Sequence, residues 1–263
     1  MRTDSSTGKR GNIVIDSKRN ARITGVLLIL GTVPIVVAMG LWGQPLSSPD
    51  YLSSIAAHGA QINLFALAIM VMGLACAGIG ISLYPVLKPH GEGLARAAMA
   101  FRLMEGTLQV ASAIGIIALL AVSQEFVKAG SPPDSFFQPI GAAIKAVNDW
   151  VGYLGYALPF CIGASIYYTV FYRTRLVPRW LSAWGLLGLA LLLGSNLAVV
   201  FGFLGSTSSL VALLTLPIFL QELVLAAWLI AKGFSAPALA SFAAPGKGLL
   251  DSQLIVPANG TPI

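Results

Sequence analysis

The sequence predicts an all-α polytopic membrane protein: a bundle of six transmembrane helices with both termini on the cytoplasmic side. Three observations predict it. Charged residues make up only 10% of the chain and hydrophobic ones 56%, whereas a soluble domain carries about 25% charged residues and needs them to keep its surface wet. Six apolar stretches are each long enough to cross a hydrocarbon core, which takes about 20 helical residues. Finally, basic residues are confined to alternate connections, which is how membrane topology is encoded.

The apolar stretches fall at about residues 23–42, 62–86, 97–122, 150–171, 181–204 and 210–231. Lipid offers no partners to free backbone groups, so open-ended spans must be helical. The alternating strands of an outer-membrane barrel do not occur in the sequence. Orientation follows from charge. Arg2, Lys9, Arg10, Lys18, Arg19 and Arg22 precede the first span; Lys88 and Arg96 lie in the second connection, Arg173, Arg175 and Arg179 in the fourth, and Lys232 and Lys247 after the last span. The opposite side holds only Lys128 and Lys145, beside Asp50, Glu125, Asp134 and Asp149. The net charge of +6 is therefore a topology signal, and nucleic acid is not an expected partner. The run before Ala38-Met39-Gly40 loosely resembles a signal peptide, but it is longer than a signal core of about 7–15 residues.

The spans define a transmembrane domain over residues 21–234. Residues 1–20 are polar and basic, and residues 235–263 are rich in Ala, Pro, Gly and Ser; both are expected to be disordered cytoplasmic tails. In the first outer connection, Ser48 and Pro49 predict a short interfacial helix with Ser48 as its cap. In the third, Phe136, Phe137, Ile140, Ile144 and Val147 recur near helical spacing after Ser131-Pro132-Pro133-Asp134. They predict an amphipathic helix that lies on the surface or extends the fourth span. Arg173, Arg175 and Arg179, followed by Trp180, suit contact with anionic lipid headgroups.

Ionisable groups inside a membrane are costly and normally face the bundle interior with a partner. The third span carries Arg102, Glu105, Gln109 and Ser112 at intervals of three, four and three, which puts all four on one helix face. Arg102 and Glu105 lie roughly 9 and 14 Å beyond Arg96 along the axis, at 1.5 Å per residue. The sixth span carries Gln221 and Glu222, and Glu222 lies roughly 15 Å before Lys232. Glu105 and Glu222 thus share a depth. The spacing predicts one intramembrane polar cluster of Arg102, Glu105, Gln109, Ser112, Gln221 and Glu222, with Asn196 and Asp149 as accessories. One cation facing two carboxylates leaves a formal charge of −1, and low dielectric favours a proton on one of the acids.

No other chemistry is signalled. His58 and His90 both fall in connections, and no His-Glu-x-x-His or paired Cys/His spacing occurs, so neither a metal site nor haem ligation is expected. No phosphate-cradling glycine loop occurs on the cytoplasmic side. Cys76 and Cys161 lie inside apolar runs and read as small buried hydrophobes. No catalytic residues and no cofactor are predicted.

Short segments add a resemblance. Ala21-Arg22-Ile23-Thr24-Gly25-Val26-Leu27 opens the first span, and Phe101-Arg102-Leu103-Met104-Glu105 lies in the third. Leu176-Val177-Pro178-Arg179-Trp180-Leu181 precedes the fifth, and Glu222 is followed by Trp228-Leu229-Ile230-Ala231-Lys232-Gly233. In order and spacing these resemble the bacterial membrane-protein family catalogued as domain of unknown function 4386. The resemblance implies six helices, a bacterial cytoplasmic membrane and no established biochemical activity. It also implies that Arg102, Glu105 and Glu222 carry the family's polar marks. One departure is Ile166-Tyr167, where the family pattern has Gly-Tyr. The functional expectation is binding or transport of a small molecule, lipid or proton through the polar cluster. The alternative is a structural or partner-binding component in which the same residues clasp helices together.

Overall fold

The computed structural model describes the backbone of residues 5–132, 134–205 and 208–243, and side chains over 18–132, 134–205 and 208–239. Every element among them is helical, and six spans are long and apolar enough to cross a membrane. Helix α1 covers Ser5–Trp42, and its apolar part is Lys18–Trp42. Short helices α2 (Gln44–Ser47) and α3 (Tyr51–Ala57) lead into α4 (Gly59–Leu87), which a single 3-10 turn joins to α5 (Glu92–Lys128). Helix α6 (Phe137–Trp150) runs through a π-helical segment, Val151–Tyr156, into α7 (Ala157–Thr174). Helices α8 (Arg179–Val200), α9 (Ser209–Ala231) and α10 (Ala236–Ala243) complete the chain. The all-α polytopic bundle predicted from sequence is borne out.

Some local expectations change. The polar stretch through residue 20, expected to be a tail, is helical from Ser5 onward as the start of α1. A formed helix adds one hydrogen bond for each residue it gains, so the span propagates backward. After α9, Gly233 at φ 74 closes the helix, its N–H reaching the carbonyls of Leu229 (3.1 Å) and Trp228 (3.3 Å). Phe234 then packs on Phe171 with ring centroids 5.7 Å apart, and the Ser235 N–H donates to the Leu176 carbonyl at 2.9 Å. The segment after 234 is therefore docked as far as α10, because Phe234 and Leu239 have an apolar surface to cover. Residues 1–4 and 244–263 of the expected tails lie outside the described residues. In the first outer connection, the helix after Pro49 starts at Tyr51, and Ser48 ends α2 instead of capping α3.

Packing separates the two ends of the bundle. At the basic end, α1, α5, α7, α9 and the α7–α8 connection bury Ala21, Ala95, Tyr167, Phe171, Leu176 and Leu229 in one apolar core. At the other end, Leu52, Ile55, Ile62, Phe65, Leu119 and Phe126 form a second. Lipid gives helices no hydrophobic reason to associate, so close backbone approach must supply the contact. Helices α4 and α5 achieve it through Gly73 and Gly106. A methyl group on Gly73 would lie 2.7 Å from the Gly106 carbonyl oxygen, and one on Gly106 would meet the Gly73 carbonyl. About two turns further along α4, Gly80 faces the Arg102 Cβ. On the outer face of α4, Leu67, Leu74 and Ile81 recur every seven residues and stay exposed, which makes them the lipid surface.

Candidate functional site

Between the two cores lies a polar layer. On α1, Thr32 falls between Leu28 of one core and Ala38 of the other. On α4, Met72 and Cys76 fall between Ile69 and Ile79; on α5, Arg102 through Gln109 falls between Ala98 and Ala113. These residues surround a cavity of about 240 Å³ to which every spanning helix contributes. Thr32 and Ile35 come from the first, Met72 and Cys76 from the second, Arg102, Glu105 and Gln109 from the third. Tyr156 and Phe160 come from the fourth, Leu192 from the fifth and Glu222 from the sixth.

The three-four spacing on α5 makes the central contact. Arg102 Nη1 lies 2.8 Å from Glu105 Oε2, and the two side chains are 2% and 4% exposed. Glu105 Oε1 accepts from Gln109 Nε2 at 3.2 Å. The guanidinium also sits over the Phe160 ring, 5.1 Å from its centroid. This ion pair lies within one helix, so it cannot fix how two helices pair. Arg102 Nη1 and Glu105 Oε2 are held by their own ion pair, whereas Arg102 Nε and Gln109 Oε1 are buried without a hydrogen-bond partner. Buried polar atoms in that state are uncommon and point to water or a ligand. Across the cavity, Glu222 Oε2 accepts from the Thr32 hydroxyl at 3.0 Å, and the same hydroxyl reaches the Leu28 carbonyl at 2.8 Å. Glu222 is half-buried, whereas Glu105 is 3% exposed.

The adjacent Gln221 points elsewhere. It is fully buried, accepts from the Tyr168 hydroxyl at 2.6 Å and donates to the Leu181 carbonyl at 3.0 Å. Those bonds tie α9 to α7 and α8. The predicted cluster therefore separates: Arg102, Glu105, Gln109 and Glu222 share the cavity, and Gln221 joins helices outside it. Ser112 is buried on α5 beyond the cavity lining. Asn196 donates to the Tyr153 carbonyl at 3.5 Å, within the π-helical segment. Asp149 pairs with Lys145 at 3.1 Å on the surface, away from the cluster. Arg173, Arg175 and Arg179 are exposed at the basic end, with Arg179 stacked 5.4 Å from the Tyr172 ring.

Sequence reasoning missed Thr32, Tyr156 and Phe160. Thr32 is an ordinary helix hydroxyl two residues before Pro34, and only its neighbour on α9 gives it a role. Tyr156 ends the π-helical segment, and its signal was Pro159. Proline has no N–H for the Gly155 carbonyl, so the regular ladder is interrupted there and the turn widens. Cys76, read as a small buried hydrophobe, is buried and also forms part of the cavity wall.

Among the described residues no group of three or more His, Cys, Asp or Glu side chains is placed to hold a metal ion. Chemically, the cavity offers one paired cation, one carboxylate bonded to a neutral hydroxyl and one open acceptor, Gln109 Oε1. No curated protein and no solved structure matches the chain. A family model does match, over residues 23–233, from within the first span to the residue that closes the last. Five of the six spans, the first span from Ile23 onward, and the Arg102, Glu105 and Glu222 layer lie inside that match, and the chain belongs to the family described as Domain of unknown function (DUF4386).

Proposed function

We propose that the protein binds a small molecule in the cavity at the centre of its membrane domain, and that this binding serves transport. The supporting observation is the cavity itself: all six spanning helices line it, and it holds buried polar atoms with no hydrogen-bond partner in the protein. A purely structural cluster would be dry and fully paired, since a half-satisfied network is worse for stability than an apolar core. Its ion pair would also link helices, whereas Arg102–Glu105 is confined to α5 and a neutral-donor bond, Thr32–Glu222, crosses between helices in the cluster. The clasp role fits Gln221, which joins three helices. We place the protein in the bacterial cytoplasmic membrane with the basic end inward, where Arg173, Arg175 and Arg179 meet anionic headgroups.

The test uses Cys76, which is 3% exposed and borders the cavity. Cys161→Ala protein in mild detergent is treated with the small neutral reagent methyl methanethiosulfonate and analysed by mass spectrometry. An open, wetted cavity gives labelling of Cys76 in the folded protein. Labelling only after denaturation would mean a sealed interior and would overturn the proposal.

A further inference from the structure

We infer that the occupant of this cavity is a small organic monocation, a protonated amine on a compact apolar body. The inference rests on the binding reading above and gives it a substrate class. The charged side chains lining the cavity are Arg102, Glu105 and Glu222. Arg102 and Glu105 stand 2.8 Å apart and offset each other. Glu222 belongs to none of the ion pairs among the described residues, and its contact with Thr32 is with a neutral hydroxyl. With both carboxylates ionised, the cavity is one positive charge short. A lone carboxylate at this depth is costly, and an entering cation removes the imbalance.

Hydrogen bonding points the same way. Gln109 Oε1 is a buried acceptor without a donor, and an ammonium group brings up to three N–H bonds, enough to reach it and Glu222 together. Arg102 Nε also lacks a partner, which by itself would suit an anion. That guanidinium, however, already lies over Phe160 and against Glu105, so an anion there would sit beside one carboxylate and face another. The remaining wall sets the body of the ligand. Ile35, Met72, Ile79 and Leu192 offer aliphatic surface, and Tyr156 offers a ring. A volume of about 240 Å³ is below the roughly 300–1,000 Å³ of sites for drug-sized ligands, so the body is short.

The experiment compares labelling of Cys76 in Cys161→Ala protein by aminoethyl methanethiosulfonate, a cation, and sulfonatoethyl methanethiosulfonate, an anion. Each rate is divided by that reagent's rate with a free thiol in solution. The cation should be favoured by about tenfold or more, because one unit of net charge acts at short range in low dielectric. Glu222→Gln should abolish the preference. Equal rates, with methyl methanethiosulfonate still labelling, would leave the binding reading standing and overturn the cation inference; a proton held on Glu222 would give that result. Preference for the anion would overturn it as well. Labelling by none of the three reagents would defeat the binding reading itself. Should Glu222→Gln fail to fold, protection of Cys76 in the Cys161→Ala protein serves instead: n-butylammonium should slow labelling and butyrate should not. Protection by butyrate, or by neither, counts against the inference.

Discussion

Gln221 and Glu222 are neighbours on α9, yet substitution should affect them in opposite ways. Gln221→Leu removes two buried bonds, at 2.6 Å from the Tyr168 hydroxyl and 3.0 Å to the Leu181 carbonyl. Leu181 lies in the first turn of α8, so its carbonyl keeps a helical acceptor role and only the extra bond is lost. Tyr168 is fully buried and loses its Gln221 acceptor. Side-chain bonds between membrane helices average about 0.6 kcal/mol and reach about 1.7. A buried hydroxyl deprived of its partner costs about 1–3 kcal/mol. The expected loss is therefore about 2–3 kcal/mol. Glu222→Gln preserves an acceptor for Thr32 and removes an uncompensated intramembrane charge, so stability should stay the same or rise. The assay is unfolding of purified protein in mixed detergent micelles, followed by helical circular dichroism. At about 2–4 °C per kcal/mol for a chain of this size, Gln221→Leu should lower Tm by about 4–12 °C. A loss at Glu222→Gln as large as that at Gln221→Leu would make Glu222 part of the clasp and refute the separation of the two roles.

Three further perturbations follow from the packing. Arg102→Met should cost about 3–5 kcal/mol, because it leaves Glu105 buried without its cation; adding Glu105→Gln should restore much of the loss, read by the same unfolding assay. Gly73→Leu should separate α4 from α5 and cost more than about 3 kcal/mol, since even its Cβ would meet the Gly106 carbonyl oxygen at 2.7 Å; Gly40→Leu, with nothing within 4 Å, is the control and should be neutral. Phe234→Ala should cost about 3 kcal/mol and expose the chain after α9 to protease, as seen by limited proteolysis with mass mapping, because the ring is 6% exposed against Phe171.

The spans were legible because lipid imposes a length and a composition on any helix that crosses it, and those properties belong to one segment at a time. The α5 polar face was legible for the same reason: spacing of three and four reports angle about a helix's own axis. How far each helix is rotated towards its neighbours was not legible. Gln221 and Glu222 looked like one feature, but about 100° of helix separates successive side chains, and only the positions of α1, α7 and α8 show which faces the cavity. Thr32 was invisible for that reason as well. The start of α1 at Ser5 and the docking of Phe234 were missed because polar composition describes what a segment can bury alone, not what an adjoining helix or core does for it.

The Arg102–Glu105 pair rides entirely on α5, so its 2.8 Å separation is indifferent to how far apart the helices stand. The Thr32–Glu222 bond, at 3.0 Å, spans α1 and α9 and stretches with any change in their spacing. The cavity thus behaves like a capacitor with one fixed plate and one sprung plate. Bilayer thickness, helix tilt or an arriving ligand would displace the carboxylate on α9 while the dipole on α5 kept its shape. Any motion of the bundle would therefore register in the field at Glu222 before it altered the ion pair.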